Sequence, residues 1–114
     1  MLYQGRCHCG RIAFEVGGEL DSVNECNCSF CSRIGALRWF VPRKQVRFIT
    51  PETDLSTYQF GTKRLKHYFC PECGCAPIAS NSRNGVETLI VNARCLDDVD
   101  VSTLKIRAVN GRSF

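Results

Sequence analysis

The sequence predicts an all-β domain, and three observations carry that prediction. Apolar and polar residues alternate in short runs. Those runs recur at roughly ten-residue spacing, between Gly, Pro and Asn/Asp turns. No stretch sustains the 3.6-residue period of a long helix. The 114 residues are read as one domain, 1–114. A chain of this size buries about two thirds of its unfolded surface. Its core is therefore thin, and crosslinks would strengthen it.

Taken in order, Arg11 to Val16 alternates Ile12, Phe14 and Val16 with Arg11, Ala13 and Glu15, and Gly17-Gly18 ends the strand. Asp21 to Glu25 is a brief polar strand. After it, Gly35 offers the backbone freedom for a turn or a short helix end. Leu37 to Val41 is a strand holding Trp39 and Phe40, stopped by Pro42. Gln45 to Thr50 and Leu55 to Phe60 are strands divided by the turn Pro51 to Asp54. Lys63 to Phe69 alternates Leu65, His67 and Phe69 with Arg64, Lys66 and Tyr68, and runs into Cys70. Ala76 to Ala79 is a short strand, followed by a polar loop from Asn81 to Gly85. Val86 to Arg94 is a central strand, Leu96 to Asp100 a turn with carboxylates able to cap, and Leu104 to Val109 the last strand. Asn110-Gly111 is a terminal turn signal.

Cysteine placement dominates the chemistry. Eight of the nine cysteines fall in three clusters, Cys7-His8-Cys9, Cys26-Asn27-Cys28-Ser29-Phe30-Cys31 and Cys70-Pro71-Glu72-Cys73-Gly74-Cys75; Cys95 stands apart. A Cys-x-Cys disulfide closes a very small, strained ring, whereas a tetrahedral zinc accepts neighbouring thiolates at roughly 2.3 Å each. Two pairs make one closed four-thiolate site and leave a set of three, and a three-ligand zinc keeps an open position for water or substrate. Spacing does not say which pairs join, nor whether His67 or Cys75 completes a second closed site. His8, wedged between two thiols, is read as an exposed turn residue. His67 is read as a packed or hydrogen-bonded strand histidine, and Trp39 and Phe40 as core aromatics ahead of pocket walls.

No apolar run approaches the roughly 20 residues that span a bilayer, and the amino terminus reaches Gly5-Arg6 without an apolar segment. The chain is expected in the cytoplasm, where thiols stay reduced and clustered cysteines mean metal or catalysis. The formal charge is +4. Four-thiolate and three-thiolate zinc sites bring it to about +1. Basicity therefore gives no ground for nucleic-acid binding.

The ordered set Gly5-Arg6-Cys7-His8-Cys9-Gly10, Cys26 to Ala36 and Phe69 to Gly74 resembles the glutathione-dependent formaldehyde-activating enzyme family, which also includes centromere protein V-like relatives. Val91 to Asp98 is similar to that family's closing strand. The resemblance covers nearly the whole chain. It implies a β-tent fold of antiparallel sheets and two zinc ions per chain. One is a structural zinc on Cys7, Cys9, Cys70 and Cys73. The second is a catalytic zinc on Cys26, Cys28 and Cys31; because an open site is held by fewer ligands, metal loss is expected there first. It implies a carbon–sulfur lyase acting on a glutathione–aldehyde adduct of the S-hydroxymethylglutathione kind, or on a related thiol adduct. A non-catalytic scaffold or interaction module of the same fold is the alternative. Arg33, two residues after Cys31, is the candidate for seating the substrate's anionic groups; Arg38, Lys63 and Arg64 are weaker candidates, read first as solvated strand-face charges. Glu72 is read as a solvent-facing turn residue. Cys75 departs from the family pattern and is read as a small packed hydrophobe ahead of a reactive thiol or spare ligand. Cys95 is read as a buried thiol on an apolar strand. No motif identifies a general acid or an oligomeric state.

Overall fold

The chain forms two β-sheets, seen in a computed structural model that describes residues 1–111. The smaller sheet holds β1 (Leu2–Arg6), β2 (Ala13–Gly17) and β5 (Val46–Phe48), with β2 in the middle. The larger holds β3 (Ser22–Cys26), β4 (Arg38–Pro42), β6 (Ser56–Tyr58), β7 (Leu65–Phe69), β8 (Ile78–Arg83), β9 (Val86–Asn92) and β10 (Lys105–Val109), in the order β10-β3-β4-β9-β8-β7-β6. A single helical turn, α1 (Cys31–Ile34), joins β3 to β4 and ends at Gly35. Short 3₁₀ turns fill other connections, including Ala93–Cys95 and Val101–Thr103. Among the described residues, no helix is long and apolar enough to cross a membrane.

The predicted strands form, with instructive differences. β1 was not anticipated: only Leu2 and Tyr3 begin it as apolar residues, but Gly5 and its neighbours pair along β2 from Leu2↔Gly17 to Arg6↔Ala13. The polar run from Asn81 is strand rather than loop. β8 continues to Arg83 because Asn84 and Gly85 adopt φ of 53° and 77° and close a two-residue hairpin with Arg83 opposite Val86. The strand through Val91 ends at Asn92, so Cys95 lies in a 3₁₀ turn instead of on a strand, half-buried. Pairing is antiparallel throughout the described ladders except one: β10 runs parallel to β3, from Lys105↔Ser22 to Val109↔Cys26. The antiparallel sheets expected from the sequence thus gain one parallel edge strand. The turn before β10 is capped as its carboxylates suggested, with Asp100 accepting from the Ser102 amide at 3.0 Å.

Strand alternation divides the larger sheet into two faces. Trp39 and Val41 of β4, Ile78 of β8 and Leu89 and Val91 of β9 turn to the core, where they meet Phe14 and Val16 from β2. Tyr3 packs edge-on against Trp39 at 5.6 Å. The opposite face carries one residue per strand in a continuous row. Tyr58 lies opposite His67, His67 opposite Ala79, Ala79 opposite Ile90, and Ile90 opposite Phe40. Trp39 is thus core as expected, while Phe40 faces the other way and is 40% exposed.

The core also constrains a glycine. A Cβ on Gly5 would lie 2.3 Å from Phe14 Cζ, and Phe14 is fully buried. Gly5→Ala is therefore expected to lower unfolding free energy by about 1–3 kcal/mol through overpacking. Gly17→Ala, whose Cβ would meet nothing nearer than 3.8 Å, is expected to change it by less than about 0.5 kcal/mol. Urea denaturation of the two variants checks the contrast.

Candidate metal centres

Two turns create the first cluster. Cys7 and Cys9 lie in the β1–β2 connection; Cys70 and Cys73 lie in the β7–β8 connection. The smaller sheet thus supplies one pair and the larger sheet the other. Cys9 Sγ is 3.6 Å from both Cys7 Sγ and Cys70 Sγ, and the four sulfurs lie within 4.8 Å of one another. A tetrahedral ion with sulfur at about 2.3 Å sets its ligand atoms about 3.8 Å apart, so the set matches the shape of a closed four-thiolate site. Cys7 and Cys70 are buried and pack with Ile12. The Ile12 amide donates to Cys7 Sγ at 3.3 Å.

Electrostatics agree with a bound cation. Amide hydrogen bonds from Cys75 and Cys9 hold the Cys73 thiol down at about 5. Cys9 goes the other way, to about 12: an amide hydrogen bond from Arg11 opposes the shift, but burial and the thiols of Cys70, Cys7 and Cys73 outweigh it. Thiols this close ionise as a set, and further thiolates need a positive charge among them. Around the set, Arg11 pairs with Glu72 at 2.9 Å and links the two turns across solvent. Glu72 is exposed, as expected, and the pair adds little. His8 is exposed. Cys75 is half-buried beside the cluster but outside the four-sulfur set, as a packed thiol would be.

The second cluster is local. Cys26 ends β3, Cys28 lies in the following turn and Cys31 starts α1, and their three sulfurs also lie within 4.8 Å. The Cys28 amide donates to Cys26 Sγ at 3.4 Å and the Cys31 amide to Cys28 Sγ at 3.3 Å. Burial opposes ionisation of Cys28, but the Cys31 amide and the neighbouring thiols lower it overall. Burial, with the thiol of Cys28, pushes Cys31 up to about 12, against the pull of Arg38. An all-sulfur donor set suits a soft or borderline ion such as zinc, and three ligands leave one position open.

Of the three thiols, Cys28 lines a groove of about 340 Å³ shared with Asn27, Ser29, Ser32, Arg33, Phe60 and Gly111. Arg33 is exposed on this groove and donates to the Ser29 carbonyl at 2.7 Å, which uses one of its five N–H groups. Lys63 and Arg64 are exposed and line no part of it. Arg38 departs from the solvated-charge reading. Its guanidinium lies over the Phe40 ring at 5.1 Å, and its Nε is buried without a hydrogen-bond partner. His67 is packed as expected, 4.1 Å from the Phe30 ring centroid, yet its Nε2 also lacks a partner.

Gly111 is the component sequence reasoning missed. Asn110-Gly111 reads as a chain-end turn, but β10 beside β3 carries it back to the second cluster. Its amide donates to Asn27 Oδ1 at 2.8 Å. A Cβ there would lie 2.3 Å from Cys26 Sγ and 3.1 Å from Cys28 Cβ. The cradle thus admits the sulfurs only with glycine behind them. A parallel terminal strand leaves no local sequence signal, so pattern reading had no means of finding it.

Comparisons with known proteins agree with this geometry. The family model described as "Glutathione-dependent formaldehyde-activating enzyme" matches residues 2–109. A Rhodobacter sphaeroides protein of known crystal structure is similar, with 31% identity over 91% of this chain and 99% of that one and a TM-score of 0.78.

The two clusters are expected to separate experimentally. Cys73→Ser is expected to lower unfolding free energy by more than about 3 kcal/mol, because the first set joins the two sheets. Gly111→Ala is expected to leave the melting transition nearly in place while one of two metal equivalents is lost. Elemental analysis beside thermal denaturation checks both.

Proposed function

The chain belongs to the glutathione-dependent formaldehyde-activating enzyme family, and on that premise we propose a zinc-dependent carbon–sulfur lyase that joins and splits glutathione and a small aldehyde. The observation that carries the reading is the unequal division of seven thiols. Four make a closed set between the sheets, and three make an open set on a groove. The proposal assigns a structural zinc to Cys7, Cys9, Cys70 and Cys73, and a catalytic zinc to Cys26, Cys28 and Cys31. Cys26, Cys28 and Cys31 would hold the zinc, which would supply a fourth position able to keep a thiol as thiolate at neutral pH.

The chain's own residues do the remainder. The amides of Cys28 and Cys31 orient two of the sulfurs and offset their charge. The groove's volume is in the range that accepts a small peptide. Arg33, with N–H groups remaining beyond its bond to Ser29, faces the carboxylates of glutathione there. Phe60 gives the groove an apolar wall. In the forward direction the glutathione sulfur, its proton given up to solvent, attacks the aldehyde carbon; the carbonyl π bond opens onto oxygen, and that oxygen takes a proton back from solvent to give the hydroxymethyl thioether. The reverse breaks the same carbon–sulfur bond. Reduced thiols at both sets fit a reducing compartment, and the proposed location is the cytoplasm.

Protein purified without chelator is expected to contain two zinc ions per chain, to be stabilised by glutathione in a thermal melt, and to turn over S-hydroxymethylglutathione. Arg33→Ala is expected to raise the glutathione Kd about 10-fold, the scale of one charge-assisted hydrogen bond, with zinc content unchanged. Two bound zinc ions with no thiol binding would overturn the catalytic assignment and leave the scaffold reading.

A further inference from the structure

A second, smaller space is bordered by Cys31 of the open thiol set. It sits between α1 and the non-core face of the larger sheet, and its volume is about 30 Å³. Cys31, Ala36, Ala79 and Ile90 are among its walls, and its lining is predominantly apolar. That volume holds a group of one or two heavy atoms. Two of its lining side chains carry buried polar atoms with no partner, Arg38 Nε and His67 Nε2. Tyr68 and Asn92, also in the lining, have hydrogen-bond partners. Tyr68 meets Ser80 at 3.3 Å, and Asn92 accepts from the Leu37 and Arg94 amides and donates to the Ala76 carbonyl. His67 is 7% exposed, and its ring is held between a tilted Phe30 and a stacked Phe60.

Leaving two buried polar atoms unpaired costs stability, and such atoms in a native fold call for an explanation. Their chemistries are complementary. Arg38 Nε–H can only donate. Burial first, then the charge of Arg38, lowers the His67 pKa and favours neutral imidazole, which accepts at Nε2 when its proton is on Nδ1. A hydroxyl group accepts from the first and donates to the second. We propose that this cavity is the one-carbon subsite of the enzyme: it receives the hydroxymethyl end of the glutathione adduct, with Arg38 Nε–H donating to the adduct oxygen and the adduct hydroxyl donating to His67 Nε2. The subsite rests on the proposed function and adds its substrate limit. Arg38 and His67 position the oxygen, and Ala79 and Ile90 exclude any carbon beyond the first.

Binding, not turnover, tests this. Calorimetric Kd values are measured for glutathione alone, for glutathione with saturating formaldehyde and for glutathione with saturating acetaldehyde. The proteins are wild type, Arg38→Met, His67→Phe and Ala79→Val, each checked for zinc content. Wild type is expected to bind the formaldehyde adduct at least about 10-fold more tightly than the acetaldehyde adduct, the scale of one extra carbon in a closed pocket. Each variant is expected to lose about 10-fold or more in formaldehyde-adduct affinity while binding glutathione alone within about 3-fold of wild type. The chain has two histidines, so a His8→Gln background isolates the His67 imidazole by NMR. Its Nε2 resonance is expected to shift with the formaldehyde adduct and not with glutathione alone. If wild type binds glutathione but the variants bind the adduct as wild type does, or the His67 resonance does not respond, the subsite is wrong and the thiol site stands. If wild type binds neither glutathione nor adduct, both readings fall. Should Arg38→Met lose zinc, His67→Phe and Ala79→Val decide.

Discussion

The packing of four sulfurs at the meeting of two turns is the constraint on which the rest of this structure depends. Cys9 and Cys70 are 61 residues apart in sequence and 3.6 Å apart in space. Each lies in a turn that joins strands of a different sheet. Without a cation, thiols at that distance suppress one another's ionisation, and the contact is merely tolerated. With a cation it becomes a clamp that fixes how a three-stranded sheet sits on a seven-stranded one. A chain this short has few large side chains to do the same work. Its core of Phe14, Leu37, Leu89 and their neighbours is well buried but small.

A metal clamp between the sheets would free one face of the larger sheet from core duty. Strand alternation sends Trp39, Val41 and Val91 inward, and sends Arg38, Phe40, His67 and Ile90 to the side where α1 lies. The first set of residues is satisfied by packing alone. The second contains a charge, a buried imidazole and a partly exposed aromatic ring, and it leaves two polar atoms that packing alone does not satisfy. The open thiol set lies over this face through Phe30, whose ring reaches Tyr58, Phe60 and His67.

Much of this was legible beforehand. Period-two alternation located β2, β4, β7 and β9 because each has a buried face, which forces the pattern. The cysteine motifs marked the ligand turns because metal geometry demands close spacing. Illegible parts share a cause, which is that their reason lies elsewhere in the fold. β1 is a strand because β2 pairs with it. The polar second half of β8 is a strand because Asn84-Gly85 turns it back onto β9. Arg38 looks like a surface charge until α1 covers its strand face. Gly111 looks like a chain-end turn until β10 returns beside β3.

That last return has a kinetic side. The six residues from Cys26 to Cys31 close upon themselves, whereas the Gly111 amide meets Asn27 across 84 residues. Short loops form on far faster timescales than long-range strand pairing. The thiol triad can therefore gather in the nascent chain well before its back wall exists, exposed and competent to capture whichever thiophilic ion is at hand. Pairing of β10 with β3 then closes the side of the triad on which Gly111 lies.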